Sequence, residues 1–288
     1  MDRKENTRVL AFVYGGYIMR YIYLIVVVPF YGRVLGVTEY GRVLAAMSLM
    51  NVIWMLVSYG FTFAGMREVS NAQSRSEFNS IFSLHSSARV AMGAIGGLIG
   101  VVATYCSPVL SERPMIGILA TILGIVSGWN LGWFFQGRHQ FRTPIVLEVL
   151  GFAVSLVLIL ALVNGPKDSS WVLGSLLVAG LVSSVISYAL TAKEVGLPRI
   201  RWSGVSDLVR SSTMLFVYSA GSVVLTSSST YLLTLLSTSS QVGYFGAAER
   251  FATIGLSLMG PAGQVFIPTI TKQLALGDHH GARQIAAG

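Results

Sequence analysis

Apolar residues run along this chain in eight long blocks separated by short polar connections, near residues 9–30, 43–64, 81–105, 115–136, 144–163, 171–191, 213–236 and 244–271. A helix rises ~1.5 Å per residue, so ~20 apolar residues match the ~30 Å hydrocarbon core of a bilayer. The pattern predicts an all-α fold, a polytopic transmembrane helix bundle of about eight spans, and argues against a soluble enzyme.

Composition points the same way. Hydrophobic residues make up 53% of the chain and charged residues 11%, with a mean hydropathy of +0.67. A soluble domain carries about 25% charged residues to cover its surface. The net charge of +8 would suggest a nucleic-acid partner in a soluble protein, but its placement has a different cause. Thirteen of the twenty Lys and Arg residues fall in the terminal segment and every second connection: Arg3, Lys4, Arg8, Arg67, Arg75, Arg138, Arg142, Lys193, Arg199, Arg201, Arg210, Lys272 and Arg283. Four fall in the other connections (Arg33, Arg42, Arg113, Lys167) and three inside spans (Arg20, Arg89, Arg250). Cytoplasmic connections carry the excess of Lys and Arg, so both termini are expected in the cytoplasm. The first block carries Arg20 at its middle and no small-x-small cleavage site, so it should persist as a helix. Cys106 is the single cysteine, and no Cys/His spacing marks a metal site. His279 and His280 read as a solvated turn after Gly277. No cofactor is implied.

An internal repeat organises the chain. Residues 35–46 (LGVTEYGRVLAA) join the first two spans, and residues 237–248 (STSSQVGYFGAA) join the seventh and eighth. Gly41 matches Gly243, and Ala45-Ala46 match Ala247-Ala248, in equivalent topological positions. Small residues opening a helix permit close packing, and repeats of this kind are frequent in transporters. A second half would then begin in the charged stretch between Lys193 and Arg210, which Pro198 keeps from being helical. This divides the chain into a six-helix bundle over 1–205 and an incomplete second bundle over 206–288: two helices of a second pseudo-symmetric half, truncated at the C-terminus.

Four segments resemble one family. Residues 29–36 (PFYGRVLG) followed by Tyr40-Gly41, 59–69 (YGFTFAGMREV), 133–137 (WFFQG) and 242–250 (VGYFGAAER) are similar, in order, to segments of the Wzx-type polysaccharide flippases. That family belongs to the multidrug, oligosaccharidyl-lipid and polysaccharide exporters, whose members carry twelve or more helices in two pseudo-symmetric bundles. The resemblance implies transport of undecaprenyl-pyrophosphate-linked oligosaccharide repeat units, such as those of O-antigen, across the bacterial inner membrane by alternating access. It implies no catalytic residue, a central cavity lined by helices one, two, seven and eight, and polysaccharide polymerase and chain-length proteins as partners alongside membrane lipids.

Charges inside the spans are the candidate site residues, because an ionisable group at mid-bilayer is expensive and asks for a reason. Arg20, Arg89 and Arg250 are candidates to hold an anionic pyrophosphate headgroup, since a guanidinium stays charged and binds phosphate oxygens bidentately. The structural alternative pairs Arg20 or Arg250 with Glu249 or Glu148, or lets the arginines snorkel. Glu249 and Glu148 are candidates for ion coupling or charge pairing. Asn51, Thr226, Ser228 and Thr230 are candidate polar lining, although such hydroxyls often bond the carbonyl one turn back. Pro261, beside Gly260, is a candidate hinge in the eighth span. Trp54 is a candidate sugar contact, core residue or interfacial anchor; Trp129 and Trp133 read as an aromatic belt. A multidrug or metabolite exporter is the alternative within transport, and a membrane-embedded polymerase or transferase the alternative outside it.

Overall fold

The computed structural model describes residues 3–257, with side chains placed at all of these but 3–14, 17, 222–228, 250, 251 and 253–257. Pro261, His279 and His280 lie outside the described residues. The chain divides into two compact units, Met1–Tyr244 and Phe245–Gly288. Helices in order are α1 (Arg3–Val34), α2 (Gly36–Ser58), α3 (Phe61–Asn71), α4 (Arg75–Cys106), α5 (Pro108–Ser111), α6 (Pro114–Gly128), α7 (Gly132–Gly137), α8 (Arg142–Leu162), α9 (Ser169–Val195), α10 (Val205–Leu236) and α11 (Ser239–Ser257). No strand occurs among the described residues.

Among the described residues, five segments are long and apolar enough to cross a membrane: α2, α4, α6 continued through α7, α8, and α9 with its preceding 3₁₀ turn. The first unit is an all-α bundle of a multi-pass membrane protein. Its outward surface agrees, with Leu98, Val157 and Val185 exposed by 70%, 66% and 65%. α8 is apolar over most of its length, and only 17% of its most apolar window is buried. In a bilayer such a face contacts lipid tails rather than water.

Two predicted spans differ from the observed helices. The block at 43–64 belongs to a helix that starts earlier, at Gly36, and stops at Ser58. Tyr59 and Gly60 both take left-handed backbone angles (φ 39° and 73°), and α3 sets off in a new direction. The block at 115–136 is likewise interrupted at 129–131, where the Asn130 side chain accepts the Gly132 amide at 2.7 Å. Apolar sequence continues across both breaks because α3 and α7 are packed into protein.

α2 is the hub, packing against α4, α6, α9 and α10. Val43, Leu44, Ala45, Ala46, Leu49, Ile53 and Val57 of this helix are all buried, so around 43–46 it is enclosed on nearly every side. α4 and α6 close through two reciprocal contacts. Thr121 lies over Gly100, and Thr104 over Gly117. Each threonine hydroxyl donates to the carbonyl of the glycine one turn back on its own helix, at 2.8 Å for Thr104 and 2.9 Å for Thr121. The hydroxyls are thereby satisfied within their helices and the backbones approach closely.

Each end of the bundle ties together connections that the charge pattern assigns to one side. At the basic end Arg138 pairs with Glu194. At the far end Glu39, 6% exposed, pairs with Arg42, lies 3.5 Å from Arg113 and accepts the Ser169 hydroxyl at 2.7 Å. Arg42 also reaches Glu112.

Two helices have matching bounds. Arg3–Val34 and Val205–Leu236 are both 32 residues long and are offset by 202 at each end.

Candidate functional site

At the far end the two copies of the repeated segment lie against each other. A Cβ on Gly41 would run into the carbonyl oxygen of Ser239 and lie 2.8 Å from the amide nitrogen of Gly243. A Cβ on Gly243 would run into the carbonyl oxygen of Val37 and lie 3.4 Å from Gly41 Cα. Beside them the hydroxyls of Thr38 and Ser240 are 3.1 Å apart. Val37 and Ser239, Thr38 and Ser240, and Gly41 and Gly243 are each equivalent positions of the repeat. Residue i of one copy meets residue j of the other and j meets i, which is the signature of a local two-fold axis. Only glycine lets the two backbones come this close.

α10 is held to the same end of α4. The Tyr231 hydroxyl donates to the Ala103 carbonyl at 3.0 Å, and Ser107 donates to Thr234, also at 3.0 Å. Thr230, one residue before Tyr231, is 4% exposed.

Of the charged candidates, Arg20 and Glu148 are brought together. Arg20 Nε donates to Glu148 Oε1 at 2.9 Å, joining α1 to α8. The side chains are 48% and 34% exposed, so the pair is open to whatever fills the space beside it. Glu148 was one of the two acids anticipated as a partner for Arg20.

Arg89 stands apart and is 1% exposed. Its Nε donates to the Gly128 carbonyl at 3.0 Å and its Nη1 to the His85 carbonyl at 3.4 Å. The guanidinium lies 5.0 Å from the Trp133 ring and 5.7 Å from the Phe61 ring. Such cation–π contacts strengthen when water is excluded. His85 continues the cluster, with Nε2 3.0 Å from Glu68 and its ring 4.8 Å from Trp133. In this conformation Arg89 bridges α4 to the end of α6 and faces no open cavity.

Trp133 is not part of an interfacial belt. It is 2% exposed and packed with Phe82, Phe134, Phe135 and Val69, because Gly65 of α3 leaves room for its ring. Gly137 in turn rests on the Met66 carbonyl and the Val69 side chain. Trp129 is partly buried and donates to the Arg89 carbonyl at 3.3 Å.

The remaining candidates are more scattered. Asn51 is half-buried on α2, and Trp54 is 40% exposed. Glu249 belongs to the second unit and is half-buried. Thr226, Ser228 and Arg250 sit in described helices, but their side chains lie outside the described part. Sequence reasoning passed over Thr38, Ser240, Glu39 and His85. For Thr38 and Ser240 the signal was present: aligning the two repeat copies puts a hydroxyl at the same position in each.

The fold thus defines a multi-pass helical membrane protein. The chain belongs to the polysaccharide biosynthesis protein family, whose model matches residues 7–273. A curated relative from Escherichia coli (strain K12), named "Putative O-antigen transporter", is 22% identical over 290 aligned positions. The alignment covers 96% of this chain and 66% of that relative, so the chain spans just under two thirds of the relative's length. No solved structure matches the chain significantly.

Proposed function

We propose that this chain carries undecaprenyl-pyrophosphate-linked oligosaccharide repeat units from the cytoplasmic to the periplasmic leaflet of the bacterial inner membrane by alternating access. The single observation that carries this reading is the reciprocal crossing of α2 and α11 at equivalent positions 202 apart. Two halves that meet across a local two-fold axis at one end of a bundle can rock apart there and close at the other end. Residues 1–205 form the first half in this reading and 206–288 begin the second, with both termini in the cytoplasm. The relative named as an O-antigen transporter supports the substrate class, and polymerase and chain-length proteins are the expected partners.

Arg20 is the residue we assign to the pyrophosphate. Its ion pair with Glu148 is partly open, so a phosphate oxygen can take the place of the carboxylate on the guanidinium fork. Arg250, Glu249, Asn51, Thr226, Ser228 and Thr230 remain assigned to the cavity and its charge balance, and Pro261 to the hinge. Arg89, enclosed by rings, shapes the wall of α4 and keeps its proposed headgroup role only if the cage opens.

The test is surface polysaccharide in a bacterium that lacks its own flippase and assembles the matching repeat unit. The chain should restore polymer, Arg20→Ala should lower it by at least roughly tenfold, and Arg20→Lys should keep more of it. A stably inserted chain that restores none, beside an active relative in the same strain, overturns the transport reading. Full export by both variants overturns the role of Arg20 alone.

A further inference from the structure

Between α9 and α10 the chain forms an extended strap that is clipped along one face of α4. Asn79 donates to the carbonyls of Val195 and Leu197 at 3.0 and 3.2 Å. The amide of Arg199 donates to Ser83 at 3.0 Å, and that of Arg201 to Ser87 at 2.8 Å. Asn79, Ser83 and Ser87 are four residues apart and share one helical face. The strap is therefore held in a fixed register rather than loosely tethered.

Beneath it lies a cavity of about 360 Å³ between α4, α6 and α9, within the ~300–1,000 Å³ range of ligand pockets. Its wall is overwhelmingly apolar, contributed by Val90, Val126, Trp129, Leu181 and Val185, with Pro198, Arg199 and Ile200 of the strap closing one side. Val185 and Leu181 are themselves exposed by 65% and 44%, so the cavity opens on the outward face of the bundle. The strap alternates apolar and basic residues. Leu197, Ile200 and Trp202 are 77%, 75% and 58% exposed, an arrangement costly in water and natural at the headgroup level of a bilayer. Arg199 lines the cavity, and its guanidinium has no hydrogen-bond or ion-pair partner among the described residues.

We propose that this cavity and strap form a binding site for an anionic phospholipid of the surrounding bilayer, with an acyl chain in the apolar cavity and the phosphate on Arg199. Charge complementarity selects the lipid. An unpaired guanidinium on a residue that lines an apolar pocket favours an anionic headgroup over a zwitterionic one, and Arg201, held to the same helix, adds to the field. Bound there, the lipid bridges α4, α6 and α9 at the basic end.

Native mass spectrometry of the full-length chain in detergent, offered phosphatidylglycerol or phosphatidylcholine with matched acyl chains, tests this. The protein should retain phosphatidylglycerol preferentially. Arg199→Gln should weaken that retention by about fivefold without changing phosphatidylcholine, and Arg199→Lys should keep most of it. Ser184→Trp, which fills the cavity, should lower retention of both lipids and carries the test alone if Arg199→Gln does not fold. Unchanged phosphatidylglycerol preference in Arg199→Gln, or unchanged retention in Ser184→Trp, overturns the proposal. So does displacement of phosphatidylglycerol by an equimolar polyprenyl phosphate, which would give the site to a different lipid.

Discussion

At the basic end, α3 meets α7 through Trp133, Phe134 and Phe135, with Gly65 and Gly137 letting the helices interlock and the Arg89 guanidinium stacked on Trp133. At the far end, α2 meets α11 through two glycines and one pair of hydroxyls. Both contacts rest on glycine, yet they differ in what separation would expose. Opening the first would uncover a large aromatic cluster and leave a buried cation without its rings. Opening the second would uncover a short stretch of backbone and two hydroxyls, groups that water can satisfy. Close packing by itself therefore does not distinguish a permanent joint from a separable one; the chemistry beneath it does.

The largest expected effect is on the permanent joint. Trp133→Ala should destabilise the protein by about 3–5 kcal/mol, read as a lower midpoint of unfolding in detergent. A midpoint unchanged from the parent would erase the contrast between the two ends. Next comes the separable joint. In a Cys106→Ser background, oxidation of the Thr38→Cys, Ser240→Cys pair should form a disulfide and stop export, with recovery on reduction. Undiminished export by fully cross-linked protein would show that this crossing never opens. The smallest effect sharpens the comparison. Thr38→Val removes one hydroxyl of the pair at a cost of about 1 kcal/mol or less, and should lower the yield of a cross-link between cysteines at 37 and 239 while leaving the unfolding midpoint nearly unchanged.

Five of the eight expected spans were readable as membrane segments among the described residues, since apolar length alone marks such a segment. The pairing of connections at each end was equally readable, because Lys and Arg mark one side. The breaks at Tyr59-Gly60 and at 129–131 were not, since hydropathy continues through them and only backbone angles and packing reveal them. Trp133 was misread for a related reason. An aromatic near the end of a span looks like an interfacial anchor until Gly65, some seventy positions earlier, is seen to make room for it. Arg20 and Glu148 form the ion pair that the sequence offered as the structural alternative to a cavity role. The two short strings at 35–46 and 237–248 were legible in the sequence, but that residues 37–41 and 239–243 touch each other required three dimensions.

The buried carboxylate of Glu39 has a consequence for biosynthesis. Arg42, its neighbour on the same helix, leaves the ribosome almost with it, whereas Arg113 and Ser169 emerge one and two hairpins later. One carboxylate draws three connections together, so its cluster is complete only when the segments carrying Arg113 and Ser169 have both reached this end of the bundle.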